Sequence, residues 1–288
     1  MGEPASRPAG ALPLVALAGS LISQNLGAAV AKSLFPVVGV EGMTALRIGL
    51  AALLLLAFWR PWRRPVARRD IGNILLYGAM LGGMNLCIYQ AFGRIPIGIA
   101  TAIETTGPLV VVLAASRRAL DVAWVALALV GLALLLPLGS APPLDPLGLL
   151  FALGAAASWA LYIVFGKRVA TLASGQAVSL GMLVASVFAL PIGIAHAGAA
   201  MLVPSTLLAG LGVALLSSAV PYSLEMAALR RMPRHVFGIL VSATPAVGAA
   251  CGALVLGERL GALQWLAIGC IIGASAGGAA TPAPRAQA

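Results

Sequence analysis

The sequence predicts an all-α integral membrane protein with ten transmembrane helices, arranged as two inverted repeats of five helices. Three observations predict it: the composition, the length of the apolar runs, and an internal repeat. Of the 288 residues, 61% are hydrophobic and 9% are charged, whereas a soluble domain carries about 25% charged residues. A soluble fold cannot hide that much apolar surface from water, so we expect the chain to be embedded in a lipid bilayer.

Ten apolar runs of membrane-spanning length follow one another along the chain. A transmembrane helix needs about 20 apolar residues, whereas a transmembrane β-barrel would show shorter segments of alternating polarity. The runs fill almost the whole chain and leave no room for a soluble domain. They cover about residues 12–34, 41–59, 72–93, 97–115, 121–138, 147–166, 176–196, 205–228, 236–256 and 262–279.

The distribution of basic residues predicts the orientation of these helices. A net charge of +10 would also suit a nucleic-acid-binding protein. Here, however, the basic residues lie mainly in every second loop between the apolar runs. With a cytoplasmic N-terminus, 14 of the 18 lysines and arginines lie in cytoplasmic joints or tails. The positive-inside rule therefore predicts that both termini are cytoplasmic, and we expect no nucleic-acid partner. The 14 residues are Arg7, Arg60, Arg63, Arg64, Arg68, Arg69, Arg117, Arg118, Lys167, Arg168, Arg230, Arg231, Arg234 and Arg285.

Runs one to five recur as runs six to ten. The segment "FGRIPIGIATAIETTGP" (92–108) aligns with "LRRMPRHVFGILVSATP" (229–245), with twelve residues from proline to proline in both. Because five is odd, the second copy enters the membrane from the opposite side, and transporters built this way place a site between the halves. We therefore predict two halves, 12–138 and 146–279, with cytoplasmic tails at 1–11 and 280–288.

One carboxylate lies inside the fourth run, in "GIATAIETTGPLVVVLAAS" (98–116). Placing Glu104 at a helix centre costs about 2.5–3.5 kcal/mol, and Pro108 has no N–H to bond the carbonyl of residue 104. Lipid cannot satisfy these groups, so the position must face protein or water. It suits a cation, a proton or a substrate ammonium group; the alternative is a structural Glu104, either protonated or paired with a cation across the bundle.

Polar residues in other runs complete the predicted substrate site. Asn85 and Tyr89 are four residues apart on one face of the third run, and Tyr222 and Glu225 are three apart on the eighth. A zwitterionic ligand needs an anion for its ammonium group and dipoles or a cation for its carboxylate, and this set contains both kinds of partner. The other candidates are Gln24, Asn25, Arg47, Trp159, Ser242 and Thr244.

Several candidates have structural alternatives. Amides such as Gln24 and Asn25 commonly form hydrogen bonds between membrane helices. Glu225 precedes an arginine-rich joint at 230–231 and would pair with an arginine there. Arg47 would either meet a substrate carboxylate or pair with Glu41.

Seven segments, in order, carry a resemblance to a known family: "AKSLFP", "TALRIGLA", "YGAMLGGMN", "GIATAIETTGPLVV", "LLLPLG", "PYSLEMAAL" and "LGERL". With them the chain resembles the EamA-type drug/metabolite transporters, in particular the bacterial threonine/homoserine exporters. The resemblance implies ten helices in two EamA domains, a location in the bacterial inner membrane, and export of threonine and homoserine. The family usually has a glutamate before the proline of the ninth helix, where this chain has Thr244.

The residues and the resemblance together predict a secondary active exporter of small amino acids. The sequence has no nucleotide-binding motif, so a gradient must drive transport, and we expect Glu104 to carry the coupled proton. Export of another small metabolite or an organic cation is the alternative.

Other classes of function fit the sequence less well. A membrane-embedded enzyme would need a nucleophile–base pair, but His196 and His235 lie in or beside the joints. Cys87, Cys251 and Cys270 lie in apolar runs and are expected to be core residues, so we expect neither a cofactor nor a metal site. A homodimer is compatible with the sequence.

Overall fold

The computed structural model describes residues 11–114, 119–135, 144–169, 172, 174–229 and 234–280. Its described residues form helices, and no strand occurs among them. Short 3₁₀ segments lie at Pro61–Arg63 and Gly198–Leu202, and a π-helical segment lies at Leu215–Ala219. The α-helices are α1 (Ala11–Ser33), α2 (Phe35–Trp59), α3 (Arg68–Phe92), α4 (Ile97–Glu104), α5 (Thr106–Ala114), α6 (Ala119–Leu134), α7 (Pro146–Arg168), α8 (Ser174–Ala197), α9 (Pro204–Ala214), α10 (Val220–Leu229), α11 (Arg234–Val241), α12 (Thr244–Leu256) and α13 (Ala262–Ala280).

The described helices have the length and polarity of a multi-pass membrane protein. Seven helical segments are long and apolar enough to cross a bilayer, and three shorter apolar helices lie at Ile97–Val111, Val122–Leu134 and Pro204–Ala219. Large apolar side chains cover the outside of the bundle; Leu254, for example, is 86% exposed and Leu208 is 70% exposed. The chain is therefore an all-α membrane protein, as the composition predicts.

Two runs expected to be continuous are interrupted at prolines. The fourth run is split into α4 and α5, and the ninth into α11 and α12. A proline lacks an N–H and its ring clashes with the carbonyl four residues earlier. That carbonyl belongs to Glu104 for Pro108 and to Val241 for Pro245, and α4 and α11 end at these two residues. Both breaks therefore follow from the proline positions.

The eighth run is interrupted by a π-helical segment instead. Leu215–Ala219 forms this wider turn between α9 and α10 and ends two residues before Pro221. Pro221 has no N–H for the carbonyl of Ser217, and a local change to π-helical bonding is a common response to such a gap.

Helix α2 is kinked at a glycine near its start. Gly39 has φ 73° and ψ 167°, a conformation that is essentially restricted to glycine. It separates a short first turn from the long helix that continues from Val40 to Trp59. The expected start of the run near residue 41 falls just after this kink.

Helix α4 lies in the centre of the bundle. At Gly98 it passes so close to α12 that an added Cβ atom would lie 2.5 Å from the Cβ of Ala249. Glu104 is the last residue of this enclosed helix, so its carboxylate lies inside the bundle and not against lipid. The large and small apolar residues of α4 are at most 1% exposed: Ile97, Ile99, Ala100, Ala102 and Ile103.

The helices pair mainly between the first and second halves of the chain. Helix α2 packs on α8, α3 on α7 and α8, and α6 on α13. Helix α1 packs on α10 and α12, and α4 packs on α7 and α12. The centre of the molecule is therefore an interface between the two halves, which is where the candidate site lies.

Candidate functional site

A cavity of about 240 Å³ lies at this central interface. It is lined by α1, α2, α3, α4, α7, α10, α11 and α12 and by the π-helical segment. The predicted candidates lie on runs one, two, three, four, six, eight and nine, and the cavity brings the helices of these runs together. Nine of the eleven predicted residues line the cavity: Gln24, Asn25, Arg47, Asn85, Tyr89, Glu104, Trp159, Glu225 and Thr244.

Two predicted residues remain, Tyr222 and Ser242. The side chain of Tyr222 lies outside the described part of the structure. Ser242 donates a hydrogen bond to the carbonyl of Ile239 and lines a second cavity. Successive helical residues are turned by about 100°, so Ser242 and Thr244, which flank the break, face different spaces.

Arg47 forms the basic part of the cavity wall. Its side chain is 93% buried, since 7% remains exposed, and its Nη1 donates to Asn85 Oδ1 at 2.7 Å. The guanidinium carbon lies 4.9 Å from the centre of the Tyr89 ring, which is within the range of a cation–π interaction. Asn85 in turn donates to the carbonyl of Leu81 at 2.8 Å, which fixes the amide. Arg47, Asn85 and Tyr89 therefore form one packed group on α2 and α3.

The alternative that Arg47 pairs with Glu41 is wrong. Glu41 accepts a hydrogen bond from Gln90 Nε2 at 2.6 Å instead. The buried Nε of Arg47 has no hydrogen-bond partner within the described part of the chain. Leaving a buried charged donor unsatisfied is costly, so the site favours an anionic ligand group that would accept from it.

Glu104 forms the acidic part of the wall, at the end of α4. Thr101 lies one turn earlier on the same helix and also lines the cavity. The hydroxyl groups of Thr105 and Thr106, which follow Glu104, donate to carbonyls of the preceding turn of their own chain segment. At this position the carboxylate is therefore the group left for a ligand.

The two opposite charges of the cavity are not joined to each other. Among the described residues, the ion pairs are Lys32–Glu258 and Arg94–Asp145. Arg47 and Glu104 line the same cavity without a direct ion pair, so a ligand with both a carboxylate and an ammonium group would find a partner for each.

A second carboxylate enters the cavity from α10. Glu225 Oε1 accepts a hydrogen bond from Ser20 Oγ at 2.9 Å, which links α10 to α1. The alternative pairing with Arg230 or Arg231 falls on residues outside the described part of the structure.

The hydroxyl group of Thr244 has a hydrogen-bond partner on the backbone. Its Oγ1 donates to the carbonyl of Val241, the carbonyl that Pro245 leaves without a helical donor. Asn25 is bonded similarly within its own helix, from Nδ2 to the carbonyl of Leu21 at 2.8 Å. These two residues therefore line the cavity with part of their hydrogen-bonding capacity already used.

Several residues that line the cavity were not predicted from the sequence. Tyr162 lies three residues after Trp159 on α7, and Thr101 lies three before Glu104 on α4, so helical spacing alone would have placed each beside a candidate. The Tyr162 ring is stacked on Tyr77 at 4.7 Å, with the hydroxyl oxygens 2.9 Å apart. The others missed are Leu21, Ala28, Leu81, Met84, Ile88, Phe92, Ser217, Phe237 and Val241.

An ion pair at one end of the bundle connects three helices near the cavity. Lys32 Nζ, at the end of α1, lies 2.6 Å from Glu258 Oε1 and donates to the carbonyl of Ile95 at 2.9 Å. Glu258, which follows α12, accepts at Oε2 from the N–H of Ile97 at 3.0 Å. A carboxylate at the first turn of α4 is also favoured by the helix dipole. The pair therefore anchors α4, the helix that carries Glu104.

We expect Glu258→Ala to lower the stability of the purified protein by about 1.5–3 kcal/mol, the typical value for hydrogen bonds to a charged group. Glu258→Gln should lose less, because an amide oxygen can still accept from Ile97. The measurement is the unfolding midpoint in detergent.

Asp145→Asn is the matched control for this prediction. Asp145 lies 3.7 Å from Arg94 Nε and is 39% exposed, and an exposed pair contributes less than about 1 kcal/mol. An asparagine at position 145 can also still accept the N-cap hydrogen bond from the N–H of Leu147. Equal midpoints for wild type and Glu258→Ala would show that the Lys32–Glu258 pair does not anchor α4.

A bundle of membrane-crossing helices around a polar cavity with opposite, unjoined charges is the architecture of a membrane transport protein. The comparisons agree, and the chain belongs to the EamA-like transporter family. The profile of that family matches residues 146–277.

The chain is similar to transporters along most of its length. It is 47% identical over 271 residues to the threonine/homoserine exporter RhtA of Escherichia coli (strain K12), covering 94% of this chain and 92% of that protein. The same figures hold for RhtA of Salmonella typhimurium (strain LT2). It is 29% identical to the uncharacterized inner membrane transporter YedA of Escherichia coli (strain K12), covering 82% of this chain and 81% of that one. These relatives are transporters and not enzymes, as the sequence predicts.

A solved crystal structure of a protein shares the fold. It superposes with a TM-score of 0.62 at 20% sequence identity, and the match covers 92% of this chain and 96% of the other.

Proposed function

We propose that this protein is a secondary active exporter of small zwitterionic amino acids, threonine and homoserine, in the bacterial inner membrane. The observation that carries the proposal is the 47% identity to threonine/homoserine exporters over 94% of the chain. The cavity supports it independently, because a buried cation and an acid line the same small space.

In this proposal, each end of the amino acid has its own partner. Arg47 holds the substrate carboxylate, since its unpaired Nε and its fixed Nη1 give a planar group suited to a carboxylate. Glu104 holds the ammonium group. Asn85, Tyr89 and Gln24 supply neutral contacts, and Tyr222 belongs to the proposed site from its sequence position.

The competing proposal, export of an organic cation, fits the cavity less well. Arg47 carries a permanent positive charge and is 93% buried in the wall, where little water screens its repulsion of a cationic ligand. The same charge would attract the carboxylate of a zwitterion. The buried arginine therefore favours amino acids over organic cations.

We further propose that the bundle crosses the membrane ten times as two inverted repeats of five helices. Helix α4 and helix α11 both end four residues before a proline, at Glu104 and Val241. The packing supports the repeat too, because contacts of one half have counterparts in the other. The contact α1–α10 corresponds to α7–α3, α1–α12 to α7–α5, and α2–α9 to α8–α3, while α2–α8 and α6–α13 correspond to themselves.

Both termini are proposed to be cytoplasmic. Reporter tags fused before residue 12 and after residue 279 should both be inaccessible from outside intact cells, because 14 of the 18 basic residues then lie on the cytoplasmic side. A C-terminal tag that is accessible from the periplasm would contradict an even number of spans.

Proton exchange through Glu104 is the proposed source of energy. A proton and a substrate ammonium group would neutralise the same carboxylate in turn, so that entry of one accompanies exit of the other. Arg47 cannot serve in this role, since a guanidinium group does not deprotonate in proteins. Ionisable residues inside a membrane bundle are commonly part of such proton relays.

The experiment that tests the function is efflux of labelled threonine from bacterial cells that lack their own threonine exporters. Cells that express this protein should release threonine and homoserine faster than cells with an empty vector. Release of a fluorescent organic cation, measured in the same cells, should not increase. The opposite pattern, with cation efflux and no threonine efflux, would support the competing proposal.

A further inference from the structure

We propose that Trp159, together with Phe237 and Val241, sets the upper size limit of the substrate side chain by closing the site against a second cavity. This inference rests on the proposed amino-acid export. It assigns a specificity role to three residues of which only Trp159 was a candidate from the sequence.

A second cavity lies directly beside the first. Its volume is about 270 Å³, similar to the 240 Å³ of the candidate site. It lies between α5, α7, α11 and α13, and its lining includes Pro108, Leu109, Ile163 and Gly278. These are apolar groups, so the space would accept a hydrocarbon or aromatic side chain and no charged group.

Three residues form the wall between the two spaces. Trp159 of α7 and Phe237 and Val241 of α11 line both cavities. Both spaces are therefore bounded in part by the same three residues. Neither Ile163 nor Leu109 lines the first cavity, so the partition is confined to these three side chains.

The polar groups of the site all lie on one side of this wall. Arg47 and Glu104, the proposed partners of the carboxylate and ammonium groups, line the first cavity and not the second. An amino acid held by these two groups has its backbone atoms in the first cavity. A side chain bulkier than those of threonine and homoserine that extends past Trp159 would enter the second cavity, and the partition denies it that space.

The second cavity also contains a hydroxyl group without a hydrogen-bond partner among the described residues. The Oγ of Ser275 on α13 is buried without a hydrogen-bond partner within the described residues, whereas Ser242 bonds its own helix. Because Pro108, Leu109 and Ile163 make the rest of the lining largely apolar, the proposed occupant, once the partition is opened, is the side chain of leucine or phenylalanine. A lipid chain entering from the bilayer is the competing occupant and would leave no room for it.

Trp159→Ala should change the specificity of transport. In liposomes that contain the purified variant, the ratio of leucine efflux to threonine efflux should rise at least about tenfold over wild type, since one methylene group in an apolar pocket already discriminates by roughly 10-fold to 200-fold. Phe237→Ala opens the same wall from α11 and should shift the ratio in the same direction, so the test does not depend on the folding of one variant.

Two controls separate an opened partition from a general loosening. Trp159→Phe keeps an aromatic wall and should keep the ratio near that of wild type. Ile163→Ala enlarges the second cavity alone and should also leave the ratio unchanged. Wild-type threonine efflux in the same liposomes tests the proposed function separately, and its absence would count against that function.

The inference is overturned if the wild type exports threonine but neither Trp159→Ala nor Phe237→Ala raises the ratio of leucine to threonine. It is also overturned if Ile163→Ala raises the ratio as much as Trp159→Ala does, because the wall would then not be the limit.

Discussion

Glu104→Gln is expected to abolish threonine export while the protein remains in the membrane. The substitution removes the charge at nearly constant shape and lowers the cost of inserting the helix. Removing one partner of a buried charge pair costs about 2–5 kcal/mol, which is roughly a 30-fold or larger loss of affinity for the ammonium group. The measurement is labelled threonine efflux from cells, normalised to the amount of protein in the membrane.

Glu104→Asp separates a functional acid from a structural one. Aspartate keeps the charge on a shorter side chain and should retain part of the export. A structural Glu104 predicts the reverse order, because glutamine still forms hydrogen bonds at the original length. Near-normal export by Glu104→Gln at matched abundance would remove Glu104 from the proposed mechanism.

Arg47→Met should cause a loss of similar size. The variant removes the proposed partner of the substrate carboxylate and also leaves Asn85 Oδ1 without the donor that now lies 2.7 Å away. Arg47→Lys should recover little, because an ammonium group cannot reproduce the planar double contact of a guanidinium with a carboxylate. Efflux of labelled threonine at matched abundance is again the measurement.

A substrate analogue shows whether Arg47 acts on the carboxylate or only on packing. Threonine methyl ester lacks the anionic group and should compete poorly with threonine in wild type. Because Arg47→Met is expected to export little threonine, its preference is measured as displacement of labelled threonine from the purified protein, where the ester and unlabelled threonine should compete equally. Arg94→Met, which removes a partly exposed arginine outside the cavity, is the matched control and should keep the wild-type preference. A preference that survives in Arg47→Met would mean that another group binds the carboxylate.

The sequence allowed the main elements of the fold to be predicted because each depends on local pattern. Apolar runs of spanning length predict the helices, and prolines predict where α4 and α11 end, although the runs were expected to be continuous. Gly39 and the π-helical segment before Pro221 were not predicted, since each is a local response to packing and backbone geometry.

The candidate site was predictable where a polar residue is unusual for its surroundings. Glu104 inside an apolar run and Arg47 deep in its helix are such residues, and both line the cavity. Their roles in transport stay predictions. The Lys32–Glu258 pair was not predicted, because it joins residues 226 positions apart whose proximity depends on the packing of α1 against α12.

The hydrogen-bond partners of the hydroxyl groups could not be predicted, for a common reason. Thr105 and Thr106 bond the preceding turn, and Ser242 faces the second cavity. Serine and threonine readily donate to the carbonyls three or four residues earlier in a helix, and helical rotation over one or two residues decides which space they face. Neither effect is visible from residue type alone.

Efflux of labelled threonine from liposomes that contain only the purified protein tests the central claim most directly. An imposed proton gradient should accelerate threonine efflux by wild type, and liposomes that contain Glu104→Gln should show neither efflux nor a response to the gradient. Threonine efflux by wild type no faster than from protein-free liposomes, with or without the gradient, would contradict the account.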